Sequence, residues 1–261
     1  AARITQHERL SMTQIIAIVS HKGGVGKTSL VQNLGYELAR RQRRVLLVDL
    51  DPQSNLTIGC GLDPGDDRST IYHAMIEPRE ATAAVVALPQ GPALLPANLD
   101  LALAEQRFAG FYDRNDKLKD ALAPLQAAYD YILIDSPPNL GFFAFNALTA
   151  ATQALIPLQC QPYAYRALDN TLHLIGLVQK GNPALHLKAI VLTMVDRRLT
   201  LTRSVENAAR NRFGALVTQA VIPLNVAVAE ATLEGASVAQ YAPGSAGALA
   251  YQALAEEIYH G

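Results

Sequence analysis

Lys22-Gly23-Gly24-Val25-Gly26-Lys27-Thr28-Ser29 follows directly on the apolar run Ile15-Ile16-Ala17-Ile18-Val19-Ser20. This matches the phosphate-loop pattern G-x-x-x-x-G-K-[ST] with one relaxation, since neither Ser20 nor His21 supplies the opening glycine. Gly23, Gly24 and Gly26 open backbone conformations closed to residues with a Cβ, so successive N–H groups can face phosphate oxygens. A helix starting near Lys27 adds its positive end at the same place. Lys27 would reach the β- and γ-phosphates, and the Thr28 hydroxyl would coordinate Mg²⁺. The alternative is a plain glycine turn, but Gly-Lys-Thr after a strand-like run is the context the motif demands. Lys22 keeps two readings: a solvated loop lysine, or a charge delivered to phosphates across a dimer interface as an arginine finger is. Spacing leaves both open.

Two further strands end in carboxylates. Arg44 to Gln53 reads as a buried parallel strand closing on Asp49 and Asp51, which alternation along a strand would point the same way. Tyr131-Ile132-Leu133-Ile134-Asp135 has four apolar or aromatic residues and then an acid, the form of a strand whose carboxylate holds Mg²⁺. Carboxylates at strand ends beside a phosphate loop sit where open α/β sheets bind ligands. Strand-like segments at about 15–20, 45–50, 131–135, 154–158, 187–195 and 217–222 alternate with helix-like ones. The alternation predicts an α/β fold, a doubly wound, mostly parallel sheet flanked by helices. Half of the 261 residues are hydrophobic, enough for a substantial core, and no linker or repeat interrupts them. A single domain over 1–261 is expected, with 1–13 as a flexible extension and Met12 as a possible start. Residues 60–98 read as loops and short helices.

Lys-Gly-Gly-Val-Gly-Lys-Thr resembles the deviant Walker A box of the ParA/MinD ATPases. The stretch ending Asp49-Leu50-Asp51-Pro52 and the Asp135-Ser136-Pro137-Pro138 segment are similar to that family's second and third signatures. The resemblance implies ATP/ADP and Mg²⁺ as ligands, held by residues 22–29. It implies that Lys22 enters the partner subunit's site in an ATP-sandwich dimer and that Asp51 positions the attacking water. Asp135 would back the Mg²⁺, and Asp49 would support either the metal shell or the loop. Val221-Ile222-Pro223-Leu224-Asn225-Val226 resembles the segment that packs on adenine, with Pro223 and Asn225 as contacts. The related iron proteins ligate a cluster with two cysteines. Cys60 and Cys160 do not fit that pattern and read as small buried residues.

The C-terminal stretch Ala248 to Tyr259 carries two acids and no Lys or Arg, which disfavours docking on anionic lipid. No secretory signal and no run of 18 or so apolar residues is evident, so a cytoplasmic protein is expected, and the resemblance implies association with the nucleoid. About twenty residues precede Lys22, too few for the DNA-reading domain of larger relatives. Within the family the resemblance is then to the short ParA/Soj type, which implies a homodimer with ATP that binds double-stranded DNA without sequence preference and is stimulated by a ParB-like partner. With a net charge of −1, DNA contact needs a local patch. Arg197, Arg198, Arg203, Arg210 and Arg212, set against Glu206, form the candidate, and Arg203 and Arg210 lie seven apart on one helix face. A solvated helix surface is the competing reading. Arg40 to Arg44 hold a second basic cluster, explained by a helix C-terminus.

Three departures stand out. Leu224-Asn225-Val226-Ala227 and Pro243-Gly244-Ser245-Ala246-Gly247 lack arginines usual in the family, and residues 159–169 alter a helix start near the dimer face. Two other functions stay open: positioning of a protein cargo along the nucleoid, and a non-catalytic nucleotide-bound scaffold.

Overall fold

A computed structural model describes residues 13–89, 91–161 and 164–260. Its sheet contains β1 (Gln14–Ile18), β2 (Val45–Asp49), β3 (Val86–Ala87), β4 (Ala93–Leu95), β5 (Tyr131–Asp135), β6 (Gln153–Gln159) and β7 (His186–Thr193). The spatial order is β3-β4-β2-β5-β1-β6-β7, and only β3 runs antiparallel to its neighbour. The helices that matter here are α1 (Lys27–Arg40), α2 (Asn55–Gly59), α3 (Ile71–Ile76), α4 (Lys117–Leu122), α5 (Phe142–Ala150), α6 (Ala164–Val178), α7 (Thr200–Phe213), α8 (Val226–Leu233) and α9 (Ala246–His260).

The central strands are apolar at nearly every position because both their faces are covered. Ile15, Ala17, Leu46, Val48, Ile132 and Ile134 pack against α3 to α6 on one face. Ile16, Ile18, Leu47 and Leu133 face α1 and α9 on the other, against Leu30, Leu34, Tyr251 and Leu254. Each Val, Leu and Ile side chain among these gains roughly 1.5–3 kcal/mol from burial. The acidic C-terminal helix α9 thus spends its apolar stripe on the core. Among the described residues no helix is long and apolar enough to cross a membrane.

Two expectations need correction. Residues 60–98 contribute β3 and β4 as well as short helices, and with 217–222 left out the sheet has seven strands among the described residues where six were expected. Both are too short to show a period, and Pro89, Gly91 and Pro92 surround their turn. Conversely, 217–222 forms no strand. It touches β7 and its extension at two isolated bridges, Ile190 with Val217 and Val195 with Pro223. Six steps along one segment there span five along the other, and Pro223 has no N–H to donate. Of the expected extension 1–13 only Thr13 is described, and it is fixed: its hydroxyl donates to the Tyr129 carbonyl at 2.9 Å. The rest lies outside the described residues.

The basic cluster at the end of α1 is internal wiring. Arg41 bonds both the buried Glu37 and Glu256 of α9, each at 2.9 Å. Arg44 pairs with Asp130, and Arg43 lies over the Tyr259 ring. Higher on α1, Asn33 accepts from the Val238 amide at 2.7 Å and Gln32 donates to the Ala236 carbonyl at 3.1 Å. These bonds hold the 235–238 turn against α1, from which Gln32 also donates to the Gly59 carbonyl at the end of α2. Gly235 has φ +65°, and a Cβ there would stand 2.6 Å from the Gly61 Cα, backbone against backbone. Gly235→Ala is therefore expected to destabilise the chain by about 2 kcal/mol or more, read as a lower urea midpoint with an unchanged slope.

Candidate active site

The carboxyl ends of β1, β2 and β5 converge at the middle of the sheet. Ile18 and Asp49 are each in register with Asp135. The chain leaving β1 forms the loop, in which Gly24 (φ +70°) and Gly26 (φ +85°) take left-handed conformations. Gly26 is the N-cap of α1, which no side chain caps, so the first amides of that helix remain free for a ligand. From below, the Thr193 hydroxyl of β7 donates to the Val25 carbonyl at 2.9 Å.

Lys27 is buried, and its ammonium donates back to the Lys22 carbonyl at 3.2 Å, arching over the loop. Burial pulls its pKa below the ordinary value, opposed by Asp135 and Asp51. Thr28 donates its hydroxyl to Asp135 at 2.6 Å. Asp135 is fully buried. Burial, and then the neighbouring Asp49 charge, push its pKa up, while Thr28 and Lys27 pull it down. Its second oxygen has no hydrogen-bond partner. An orphaned carboxylate oxygen in hydrogen-bonding company with the loop threonine fits a divalent cation, which would supply the missing partner and neutralise the charge.

Asp49 is equally buried but fully engaged. It accepts from the Asp51 amide at 3.1 Å, the Thr57 amide at 2.9 Å and the Thr57 hydroxyl at 2.7 Å. Burial raises its pKa to about 6 against those three donors. Of the two roles the sequence leaves open, these bonds match the one that holds the loop. β2 stops at Asp49, so Asp51 is oriented by this loop and not by strand alternation. Asp51 is itself buried, and its carboxylate accepts from the Gln53 amide at 3.0 Å.

Lys22 is half-buried, with its ammonium bonded to Gln161 at 2.6 Å and Gln159 at 3.2 Å. Pro223 and Asn225 sit close by: the Ile222 carbonyl accepts from Val195 at 3.0 Å, next to Met194, whose Sδ accepts from Gln159 at 3.3 Å. The Asn225 Oδ1 is buried without a partner. Ser29 is partly exposed on the first turn of α1. Thus Lys22, Lys27, Thr28, Asp49, Asp51, Asp135, Pro223 and Asn225 cluster at one end of the sheet.

The arginines divide. Arg210 is turned inward, paired with Glu206 at 3.0 Å and donating to the Thr218 carbonyl at 3.1 Å, so its helix-face relation to Arg203 does not make it available. Arg198 pairs with Asp196 and Arg212 with Asp169, both at 2.7 Å. Arg197 and Arg203 are exposed, in no ion pair among the described residues. Cys60 and Cys160 are buried and free, with thiol pKa values raised to about 12 and about 11. Pro162 and Tyr163, in the altered helix start, lie outside the described residues.

Sequence reasoning missed Thr57, Thr193 and the pair Gln159 and Gln161. Each acts through a contact more than 30 residues away or at a spacing no motif records. Thr57 also accepts from the Ala97 amide at 3.0 Å, so it joins the β2 loop to the chain beyond β4. Thr57→Val would leave that amide unpaired and Asp49 one donor short. The expected cost is about 1–3 kcal/mol in urea denaturation, largely restored by Thr57→Ser.

A family model described as an AAA domain matches residues 13–187. Sporulation initiation inhibitor protein Soj of Bacillus subtilis is 40% identical over 249 residues, covering 95% of this chain and 98% of Soj. Chromosome partitioning protein ParA of Myxococcus xanthus is 40% identical over 247 residues, 94% of this chain and 87% of that protein. A solved structure of cobyrinic acid a,c-diamide synthase from Mycobacterium smegmatis, with bound ATP analog and magnesium, has a TM-score of 0.85. It is 36% identical and covers 95% of this chain and 94% of that one.

Proposed function

Because the chain belongs to the ParA/Soj family of chromosome-partitioning P-loop ATPases, we propose that it is an ATP-driven switch that segregates a chromosome or plasmid. The observation that carries this reading is the convergence of Lys27, Thr28, Asp51 and Asp135 on the ends of β1, β2 and β5, with Lys22 on the rim. The Mycobacterium smegmatis structure bears a different activity in its name. Its bound ATP analog and magnesium are the part that bears on this site.

ATP and ADP would bind along residues 22–29, with loop amides and Lys27 on the phosphates. Thr28 and Asp135 are the residues to hold Mg²⁺, while Asp49 keeps its place in the loop. Mg²⁺, when bound, would neutralise phosphate charge as it accumulates during transfer. The orphaned Asn225 Oδ1 offers an acceptor to the amino group of adenine, with Pro223 against the base. Asp51, fixed through Asp49 and Thr57, orients the attacking water. Lys22 crosses to the other subunit of an ATP dimer and adds its charge there. Hydrolysis is slow alone and accelerated by a ParB-like partner.

The dimer binds double-stranded DNA without sequence preference, through Arg197 and Arg203 of each subunit. Arg198 and Arg212 can join by exchanging surface carboxylates for phosphates, because exposed ion pairs are worth only about 0–1 kcal/mol. Arg210 stays in the fold. The chain as a whole acts as one ATPase domain, cytoplasmic and associated with the nucleoid.

Asp51→Ala should dimerise with ATP and lose hydrolysis by about 10²-fold or more, as for a residue that manages the water. Sedimentation in ATP checks the first half, and a monomer there would contradict the reading. Lys22→Ala should keep nucleotide and lose partner-stimulated phosphate release. Unchanged release would return Lys22 to the role of a solvated loop lysine.

A further inference from the structure

Lys22 is held within its own subunit by a set of contacts that the proposed trans role has to break. The residue before it is clipped to α6: the His21 amide donates to the Thr171 hydroxyl at 3.2 Å, and the His21 ring lies 3.0 Å from the Asn170 amide nitrogen. The Lys22 ammonium is bonded to Gln161 at 2.6 Å, just past β6, and to Gln159, the last residue of β6, at 3.2 Å. Gln159 is itself steadied by its bond to the Met194 sulfur at 3.3 Å. Met194 has φ +50° and approaches Gly26 of the same loop. One ammonium cannot occupy these acceptors and a site in another subunit at once.

We propose that Gln159 and Gln161 form a cis latch for Lys22, two positioning residues that set how readily the lysine is released to a second subunit. This rests on the trans role of Lys22. Both latch acceptors are neutral amides, which grip an ammonium less firmly than a carboxylate does. A lysine stored on neutral acceptors stays in place in the single subunit but gives way to phosphate, a stronger partner. Gln161 is exposed, so changing it leaves the core intact.

The test uses the full chain with ATP and Mg²⁺, following dimer assembly by stopped-flow fluorescence between labelled subunits. Gln161→Glu turns the main acceptor into a carboxylate and should slow assembly about five-fold, with the effect shrinking as salt screens the pair. Gln161→Ala should speed it. In a Lys22→Ala background both changes should have no effect, because the group they act on is gone. An effect of Gln161→Glu that persists without Lys22, or no effect with it, overturns the latch. Phosphate release by the Lys22→Ala dimer separates the two ideas. A loss there with inert Gln161 variants keeps the trans role and removes the latch, whereas unchanged release removes the trans role itself.

Discussion

Two buried carboxylates placed side by side govern this structure. Asp49 and Asp135 face each other across adjacent parallel strands, which lie about 4.7–4.9 Å apart, and both are fully buried. Two ionised acids at that spacing out of water repel strongly unless each is compensated. The fold answers each one differently. Asp49 receives one donor from the loop that follows it and two from Thr57 of α2, which fixes that loop and with it Asp51. Asp135 receives one hydroxyl, from Thr28, and the nearby charge of Lys27, and it keeps a bare oxygen. One carboxylate is spent on structure and the other is left electrically incomplete. On the proposed reading, the incomplete one is where a metal–nucleotide pair belongs.

The same economy applies to the cations. Lys27 is turned inward and tied to the loop carbonyl, where on the proposed reading the phosphates bind. Lys22, five residues earlier, is kept on neutral amides at the rim. Arginines follow the same division: Arg41 and Arg210 are structural, whereas Arg197 and Arg203 face solvent. Counting arginines therefore overstates the surface charge available to an anionic partner. Within the 197–212 cluster that leaves Arg197 and Arg203.

Much of the architecture was legible because its signals are local. A strand that is apolar at every position, a glycine turn and a helix start can be read within fifteen residues, and so can the two strands that end in acids. What escaped depends on distant contacts or on very short elements. β3 and β4 have two and three residues, below any period. The 217–222 segment is apolar like a strand but meets β7 out of step. Arg203 and Arg210 share a helix face by spacing, yet the Thr218 carbonyl captures only the second. Asp49 could be placed near a metal from the sequence, and only the contact with Thr57 distinguishes a loop anchor from a ligand. Gln159 and Gln161 carry no motif at all and gain meaning from the lysine lying on them.

The most direct test is binding of Asp51→Ala to a random-sequence DNA duplex with ATP, with ADP and without nucleotide, over a range of salt. Binding with ATP alone is expected, with log affinity falling against log salt at a slope between about −4 and −7, the range for four to eight phosphate contacts on duplex DNA. The lower figure corresponds to Arg197 and Arg203 from each of two subunits, and the higher one to those two joined by Arg198 and Arg212. A demonstrable ATP dimer that ignores DNA, or binds it equally in all three states, would contradict it.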